Sequence, residues 1–326
     1  MEFYLPLNIS SLSEPIKYPD KLLLIGSCFT EHIGNYLQEL KFDVLQNPNG
    51  ILFDPLSVSN SLVSYIQNKQ YTDNDLIYLN ELWQSWQHHS SYSNINKEDC
   101  LKNINASQMR AHTFLKQTKW LIITLGTSFS YQLIENNKAV GNCHRAPAQL
   151  FHKHLMTIEE INTTLDNCLF QLFHFNPDLR VIFTVSPVRH TRDGVVENNR
   201  SKARLIESVH HLVNKFDRIH YFPAYELVID VLRDYRFYDL DMVHPNYQAT
   251  SFVLENFAEH YIEPASRAIM QEVKKIAIAR KHKAFQPATN AHKQFLQTQL
   301  LRTQELKNKY PFLDLEDELK YFARAL

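Results

Sequence analysis

Glycine is scarce in this sequence: six among 326 residues, at positions 26, 34, 50, 126, 141 and 194. A chain so short of glycine uses it mainly where the backbone needs positive φ or a close approach. Gly26, Gly50 and Gly126 each stand beside an apolar run or a turn signal. Cysteine is equally scarce. Cys28, Cys100, Cys143 and Cys168 form no C-x-x-C pair, which excludes a disulfide framework and a compact redox motif. Neither sign of charge dominates, with 34 Lys+Arg against 35 Asp+Glu and a net charge of −1. No nucleic-acid partner is expected, because the chain lacks the global basic field such binding uses; only a local basic pocket stays open. No apolar run reaches the roughly 18–20 residues that span a bilayer, so no membrane association is expected. The first twenty residues carry acids and prolines where a secretory signal needs a basic segment and an apolar core. The expectation is a soluble, globular, cytoplasmic protein. Nothing in the sequence sets an oligomeric state.

Hydrophobic residues make up 44% of the chain, enough to build one large domain with an appendage. Lys21–Ile25 is a short apolar run that stops at Gly26-Ser27-Cys28-Phe29-Thr30, after which Ile33, Tyr36, Leu37 and Leu40 recur at helical spacing. Similar runs are Trp120–Leu125, ending at Gly126-Thr127-Ser128, and Arg180–Val185, ending at Ser186-Pro187. A shorter one is Arg218–Phe222. Helical patterns fall between them near 97–117, 157–175 and 197–215. Continuous apolar strands alternating with amphipathic helices predict an α/β protein, a three-layer α/β/α sandwich with a mainly parallel sheet. In such sheets functional groups gather beyond the carboxyl ends of the strands. The stretch from about 46 to 96 is turn-rich and reads as insertions over that edge. Residues 266–284, 288–309 and 312–325 read as helices, which divides the chain into an α/β domain at 1–265 and a helical extension at 266–326.

Gly26-Ser27-Cys28-Phe29-Thr30 occupies the first strand-to-helix turn. A thiol or hydroxyl there sits beside unpaired helix N–H groups, which favour a thiolate and can stabilise an oxyanion. The plainer alternative makes Cys28 a small buried residue and Thr30 a helix cap. Far along the chain, Asp241 and His244 are three residues apart before a helix that Asn246 can cap. Such spacing lets a carboxylate orient an imidazole toward a nucleophile; a solvated loop has the same spacing.

Taken together, the two motifs resemble the SGNH/GDSL hydrolase superfamily, whose first block is Gly-Asp-Ser-Leu-(Ser/Thr) and whose last is Asp-x-x-His. The N-terminal segment more closely resembles the GSCFA family. Gly26-Ser27-Cys28-Phe29 matches its name, with Thr30 in place of the final alanine. Asn47-Pro48-Asn49-Gly50, Thr124-Leu125-Gly126-Thr127, Asn142-Cys143-His144, Ser186-Pro187-Val188-Arg189-His190 and Asp241-Met242-Val243-His244-Pro245 are similar to that family too. The resemblance covers about residues 3–260 and implies a flavodoxin-like strand order. It puts Cys28 on the nucleophile position and Ser27 on the usual aspartate, with Ser27 as the rival nucleophile if the turn is rotated by one residue. Gly50 falls on the second-block glycine, an oxyanion donor, and Ser128 replaces the third-block asparagine. Asp241 and His244 fall on the last block.

The resemblance implies acyl ester chemistry, hydrolysis or transfer, on a small-molecule or carbohydrate ester. Thioesters pass acyl groups readily to hydroxyls or amines, so a cysteine nucleophile keeps acyl transfer open. The alternatives are a catalytically degenerate glycan- or anion-binding protein on the same scaffold, and a scaffold acting through its C-terminal helices. Substrate-binding candidates are His89, in the aromatic stretch with Trp83, Trp86 and His88; Asn142 and His144; and Arg189 and His190, which with Arg192 follow the third strand. The clusters Asn142-Cys143-His144-Arg145 and His152-Lys153-His154 contain zinc-ligand types, but their spacing fits no compact finger. No metal and no cofactor are expected.

Overall fold

The computed structural model describes residues 5–324. Met1–Tyr4 and Ala325–Leu326, the outer ends of the two segments expected above, lie outside the described residues. The chain begins with β1 (Lys21–Gly26), α1 (Cys28–Glu39), β2 (Asp43–Gln46) and α2 (Pro55–Gln67). A hairpin of β3 (Ile77–Leu79) and β4 (Leu82–Gln84) precedes α3 (Lys97–Leu115) and β5 (Thr118–Leu125). A second hairpin, β6 (Phe129–Leu133) with β7 (Phe151–Leu155), is followed by α4 (Ile158–Phe175), β8 (Arg180–Val185), α5 (Val195–Lys215) and β9 (Ile219–Tyr221). The short α6 (Ala224–Glu226) runs into a π-helical turn at Leu227–Leu232. Then come α7 (Tyr247–Tyr261), α8 (Pro264–Lys281), α9 (Asn290–Lys309) and α10 (Glu316–Arg324). None of the described helices is long and apolar enough to cross a membrane.

The main sheet has the order β2-β1-β5-β8-β9, and every neighbouring pair is parallel. Its central strands carry apolar residues on both faces because helices cover both. Leu22, Leu24, Trp120, Ile122 and Ile182 face α1, α7 and the C-terminal helices. Their alternates Leu23, Ile25, Leu121, Ile123, Val181 and Phe183 face α2, α4 and α5. The order 2-1-5-8-9 reverses direction between β1 and β5. That reversal opens a crevice at their carboxyl ends, where a ligand site is expected, and Gly26 pairs with Thr124 at its floor.

The stretch read as insertions starts where β2 ends and contains α2, and both elements belong to the main fold. β2 forms one sheet edge. α2 starts at Asp54, whose side chain accepts from the Ser57 N–H, with Pro55 at its first turn. It buries Val58, Leu62 and Tyr65 against the sheet. Its sequence, PLSVSNSLVSYIQ, is rich in serine and valine, which are poor helix formers, so packing rather than propensity forms this helix. The C-terminal helices pack on the opposite face. Met270, Val273, Ile276, Leu296, Leu306, Leu315 and Phe322 join the same apolar cluster as Phe29, Ile33 and Leu37 of α1. Glu318, almost fully buried, is held by Lys41 Nζ at 2.8 Å and Arg280 Nη1 at 2.6 Å.

Candidate active site

β1 ends where it must bend sharply into α1. Gly26 has φ +141°, and a Cβ there would sit 2.1 Å from the Thr124 carbonyl oxygen, so only glycine fits. The Asn47 side chain accepts the Gly26 N–H at 2.9 Å, and Ser27 N–H donates to Thr124 O at 3.0 Å. These bonds lock Ser27 at the N-cap and Cys28 at the first helical position of α1. Ser27 is buried and makes no capping bond, and its Oγ has no partner among the described residues. The side chain at the cap therefore leaves the first N–H groups of the helix unspent. Cys28 is half-buried. Burial pushes its thiol up, Lys202 pulls it down, Glu31 pushes it up again, and the N–H groups of Phe29 and Cys28 pull it down.

Lys202 is the group at this site that the sequence reading missed. It lies on the core-facing stripe of α5 with Asn198, Ser201, Leu205, Val209 and Leu212. Its side chain is fully buried, and its Nζ donates to Gly126 O and Ser186 O, both at 2.6 Å. Those carbonyls close the ends of β5 and β8. Burial drives its pKa down to about 7, with the nearby Cys28 acting in the opposite direction. The one available signal was phase: Lys202 keeps the i, i+3 spacing that ends on Leu205 and the apolar face.

Asp241 and His244 form the pair their spacing predicted, on a half-exposed loop. His244 Nδ1 lies 2.6 Å from Asp241 Oδ2. Asp241 Oδ1 accepts the N–H groups of Val243 at 2.9 Å and His244 at 3.0 Å. The His244 N–H, then its imidazole, then the Val243 N–H hold the Asp241 carboxyl down at about 2. The loop is pinned from two sides. Asn246 caps α7 and donates to Arg236 O at 2.7 Å. Arg189 donates its backbone N–H to Val243 O and its guanidinium to Met242 O, while stacking 4.2 Å from the Tyr238 ring centre. One turn beyond Cys28 on α1, the imidazolium form of His32 is disfavoured first by loss of solvent, is favoured by Glu31, and is disfavoured again by His244, with Asp239 opposing. Among the described residues no hydrogen bond joins His244 to the Cys28 thiol.

The remaining expected residues have other partners. Gly50, at φ +76°, gives its N–H to Asn47 O at 2.7 Å, so this donor is already occupied. Ser128 is fully buried; its N–H reaches Ser201 Oγ at 2.8 Å and its hydroxyl donates to Ser201 O at 3.2 Å. His144 is buried with both ring nitrogens engaged, Nδ1 with Ser90 Oγ at 3.1 Å and Nε2 with Ser85 O at 2.8 Å. Asn142 Oδ1 accepts the His144 N–H at 2.8 Å. Both residues brace their own loop against the Ser85–Ser90 segment. His89 packs its Cβ against Gly50, and its Nδ1 accepts the Ser91 N–H. Arg189 holds the His244 loop, and the His190 N–H goes to Asn198 Oδ1 at 2.8 Å. Among the described residues no three His, Cys, Asp or Glu side chains converge as a metal site. A cleft of about 380 Å³, lined by Arg189, Asn198, Tyr225, Tyr235 and Asp241, opens beside the His244 loop.

The chain belongs to the GSCFA family, whose pattern matches residues 21–257. The pattern described as the C-terminal domain of GSCFA domain proteins matches residues 273–326. No curated protein matches. Among solved structures, the chain is similar to a carbohydrate esterase family 3 protein from Talaromyces cellulolyticus, with 10% identity over 78% of this chain and 99% of that one, at a TM-score of 0.37. It is also similar to an acetyl xylan esterase from the rumen bacterium Butyrivibrio proteoclasticus, with 12% identity over 76% of this chain and 64% of that one, at a TM-score of 0.37.

Proposed function

We propose that this member of the GSCFA family is an acyl-ester enzyme, an esterase or an acyltransferase, with Cys28 as nucleophile and His244 as acid and base. The observation that carries the reading is the 2.6 Å Asp241–His244 pair, in a chain whose Cys28 opens the helix after β1. The Cys28 thiolate attacks the acyl carbon. As the ester C–O bond breaks, the His244 imidazolium gives its proton to the departing oxygen and a thioester remains. Neutral His244 then takes a proton from water or an acceptor hydroxyl, which attacks the thioester and releases the thiolate. Asp241 fixes the imidazole orientation and stabilises its charged form. The N–H groups of Cys28 and Phe29, unspent by any side-chain cap, stabilise the tetrahedral oxyanion in place of Gly50 and Ser128. A carbohydrate-type hydroxyl as the substrate class follows from the SGNH resemblance.

A catalytically degenerate glycan- or anion-binding protein is the second reading. It is favoured by the occupied Gly50 N–H and the absence of a thiol–imidazole hydrogen bond in this conformation. Mass-spectrometric trapping with an activated acyl ester decides between them. An acyl adduct on Cys28 in the folded protein, lost on denaturation before labelling, is the expected result. An adduct on Ser27 moves the nucleophile by one residue, and no adduct at all favours binding without turnover.

A further inference from the structure

We propose that Lys202 is a positioning residue: by tying the ends of β5 and β8 together, it fixes the Cys28 turn and the His244 loop to one point of the fold. The inference rests on the acyl-enzyme reading for its kinetic consequence only. β5 and β8 run side by side as far as the rung from the Ser186 N–H to Leu125 O at 2.9 Å. Among the described residues no backbone hydrogen bond joins the two segments beyond it. There Lys202 Nζ takes over, donating to Gly126 O and Ser186 O, both at 2.6 Å.

Each carbonyl leads to one half of the candidate site. On the β5 side, Gly126 abuts the nucleophile turn, and a Cβ on it would lie 3.2 Å from Ser27 Cβ. On the β8 side, the chain leaves Ser186 through Pro187, whose ring fixes φ, and the Val188 N–H bonds back to Ser186 Oγ at 3.3 Å. Arg189 comes next. Its N–H reaches Val243 O at 3.2 Å and its Nη1 reaches Met242 O at 3.1 Å. Met242 and Val243 directly precede His244. One amine is therefore the meeting point of two short paths, one to the residue before Cys28 and one to the residues before His244.

Packing does not explain the residue type. Lys202 is fully buried on the core stripe of α5, and no carboxylate pairs with it among the described residues. Burying an amine without a counter-charge is costly, and methionine fills a similar volume without that cost. What methionine lacks is several donors on one atom. Neighbours on the same helix hold loops one at a time. Asn198 Oδ1 accepts the His190 N–H and Ser201 Oγ accepts the Ser128 N–H, both at 2.8 Å. Lys202 spans two strand ends.

The test compares Lys202→Met with Val209→Ala, which loses apolar packing on the same stripe of α5. Amide hydrogen exchange, read by NMR at Ser27 and Arg189, should be at least about tenfold faster at both sites in Lys202→Met and unchanged in Val209→Ala. An unchanged rate at either site in a folded Lys202→Met protein, or the same acceleration in Val209→Ala, overturns the proposal. Should Lys202→Met fail to fold, Lys202→Gln replaces it under the same two criteria. In ester turnover, Lys202→Met should lower kcat by about 10–100-fold and change KM by less than about threefold. Arg189→Ala should then add less than about threefold on top, because the two act along one path. Fully multiplicative losses, or a raised KM with kcat intact, also overturn the proposal. A wild type that turns over no ester, with the paired acceleration of exchange present, sinks the enzyme reading alone and leaves the tie standing.

Discussion

Two basic side chains serve the neighbourhood of Cys28, and they are built in opposite ways. Lys202 is fixed by burial, with its amine spent on two strand-end carbonyls inside the crevice. His244 is fixed by hydrogen bonds on a half-exposed loop, through Asp241 on one side and the Arg189 brace on the other. A buried amine responds to what is removed around it, because water cannot replace a lost partner. An exposed imidazole responds to the loop that aims it. The contrast is between a buried floor beneath the strand ends and a half-exposed rim on a loop.

The largest effect should come from the residue both sides share. Cys28→Ala should lower acyl turnover by on the order of 10⁴-fold or more, and Cys28→Ser by nearly as much, because its hydroxyl has no thiolate-like state. Ser27→Ala should cost no more than about tenfold by way of turn shape. Steady-state assays that reverse the order of Cys28→Ala and Ser27→Ala would place the nucleophile on Ser27.

Next comes the rim. His244→Ala should lower kcat by about 10²–10⁴, the usual worth of one general acid–base group, with Cys28 alkylation unaffected. An equal loss in both assays would erase the division between floor and rim.

The floor should appear in stability against pH. In the folded protein Lys202 is driven down to about 7 and the Cys28 thiol upward, so the two hold one proton between them above that pH. The unfolded chain holds two until its thiol ionises near about 8.5. The unfolded state therefore binds more protons between about pH 7 and 8.5, and stability rises with pH in that window, by at most about 1.4 kcal/mol per unit. In Lys202→Met only the raised thiol remains, so stability should be flat to about pH 8.5 and fall above it. Urea melts at pH 7, 8 and 9 on both proteins check the reversal of slope. Parallel curves would show that Lys202 does not titrate as a buried group.

The smallest effect belongs to the brace. Arg189→Ala removes one side-chain hydrogen bond to Met242 O and the stacking on Tyr238. It should lower kcat by about tenfold, since misaimed catalytic groups lose rate without losing substrate binding. Cys28 alkylation should not change. A raised KM with kcat intact would instead make Arg189 a substrate contact.

Much of this arrangement was legible because its signals are local. The runs at β1, β5 and β8 are apolar over most successive positions rather than alternate ones, which a doubly covered strand requires. Gly26 announced its turn, and Asp241 and His244 are three residues apart in one loop. The unread parts depend on distant partners. The N–H of Gly50 is spent on Asn47, and Ser128 is absorbed by Ser201, which is far along the chain on α5. Lys202 looks like an ordinary polar residue until α5 is docked and its stripe is seen to face the sheet. α2 was hidden by its serines, because burial formed a helix that propensity alone would not.

The place of α10 in the same apolar cluster as α1 has a consequence for how the chain is made. Phe29 and Phe322 share one apolar cluster, yet about 290 residues separate them. At about 5–20 residues per second, synthesis needs roughly 15–60 s to travel from one to the other. During that interval the sheet and then α7 can cover α1, but the part of the shared apolar cluster completed by the C-terminal helices stays open. The nascent chain is then most exposed to aggregation or to capture by a chaperone, well before the Glu318 clasp on Lys41 and Arg280 can close.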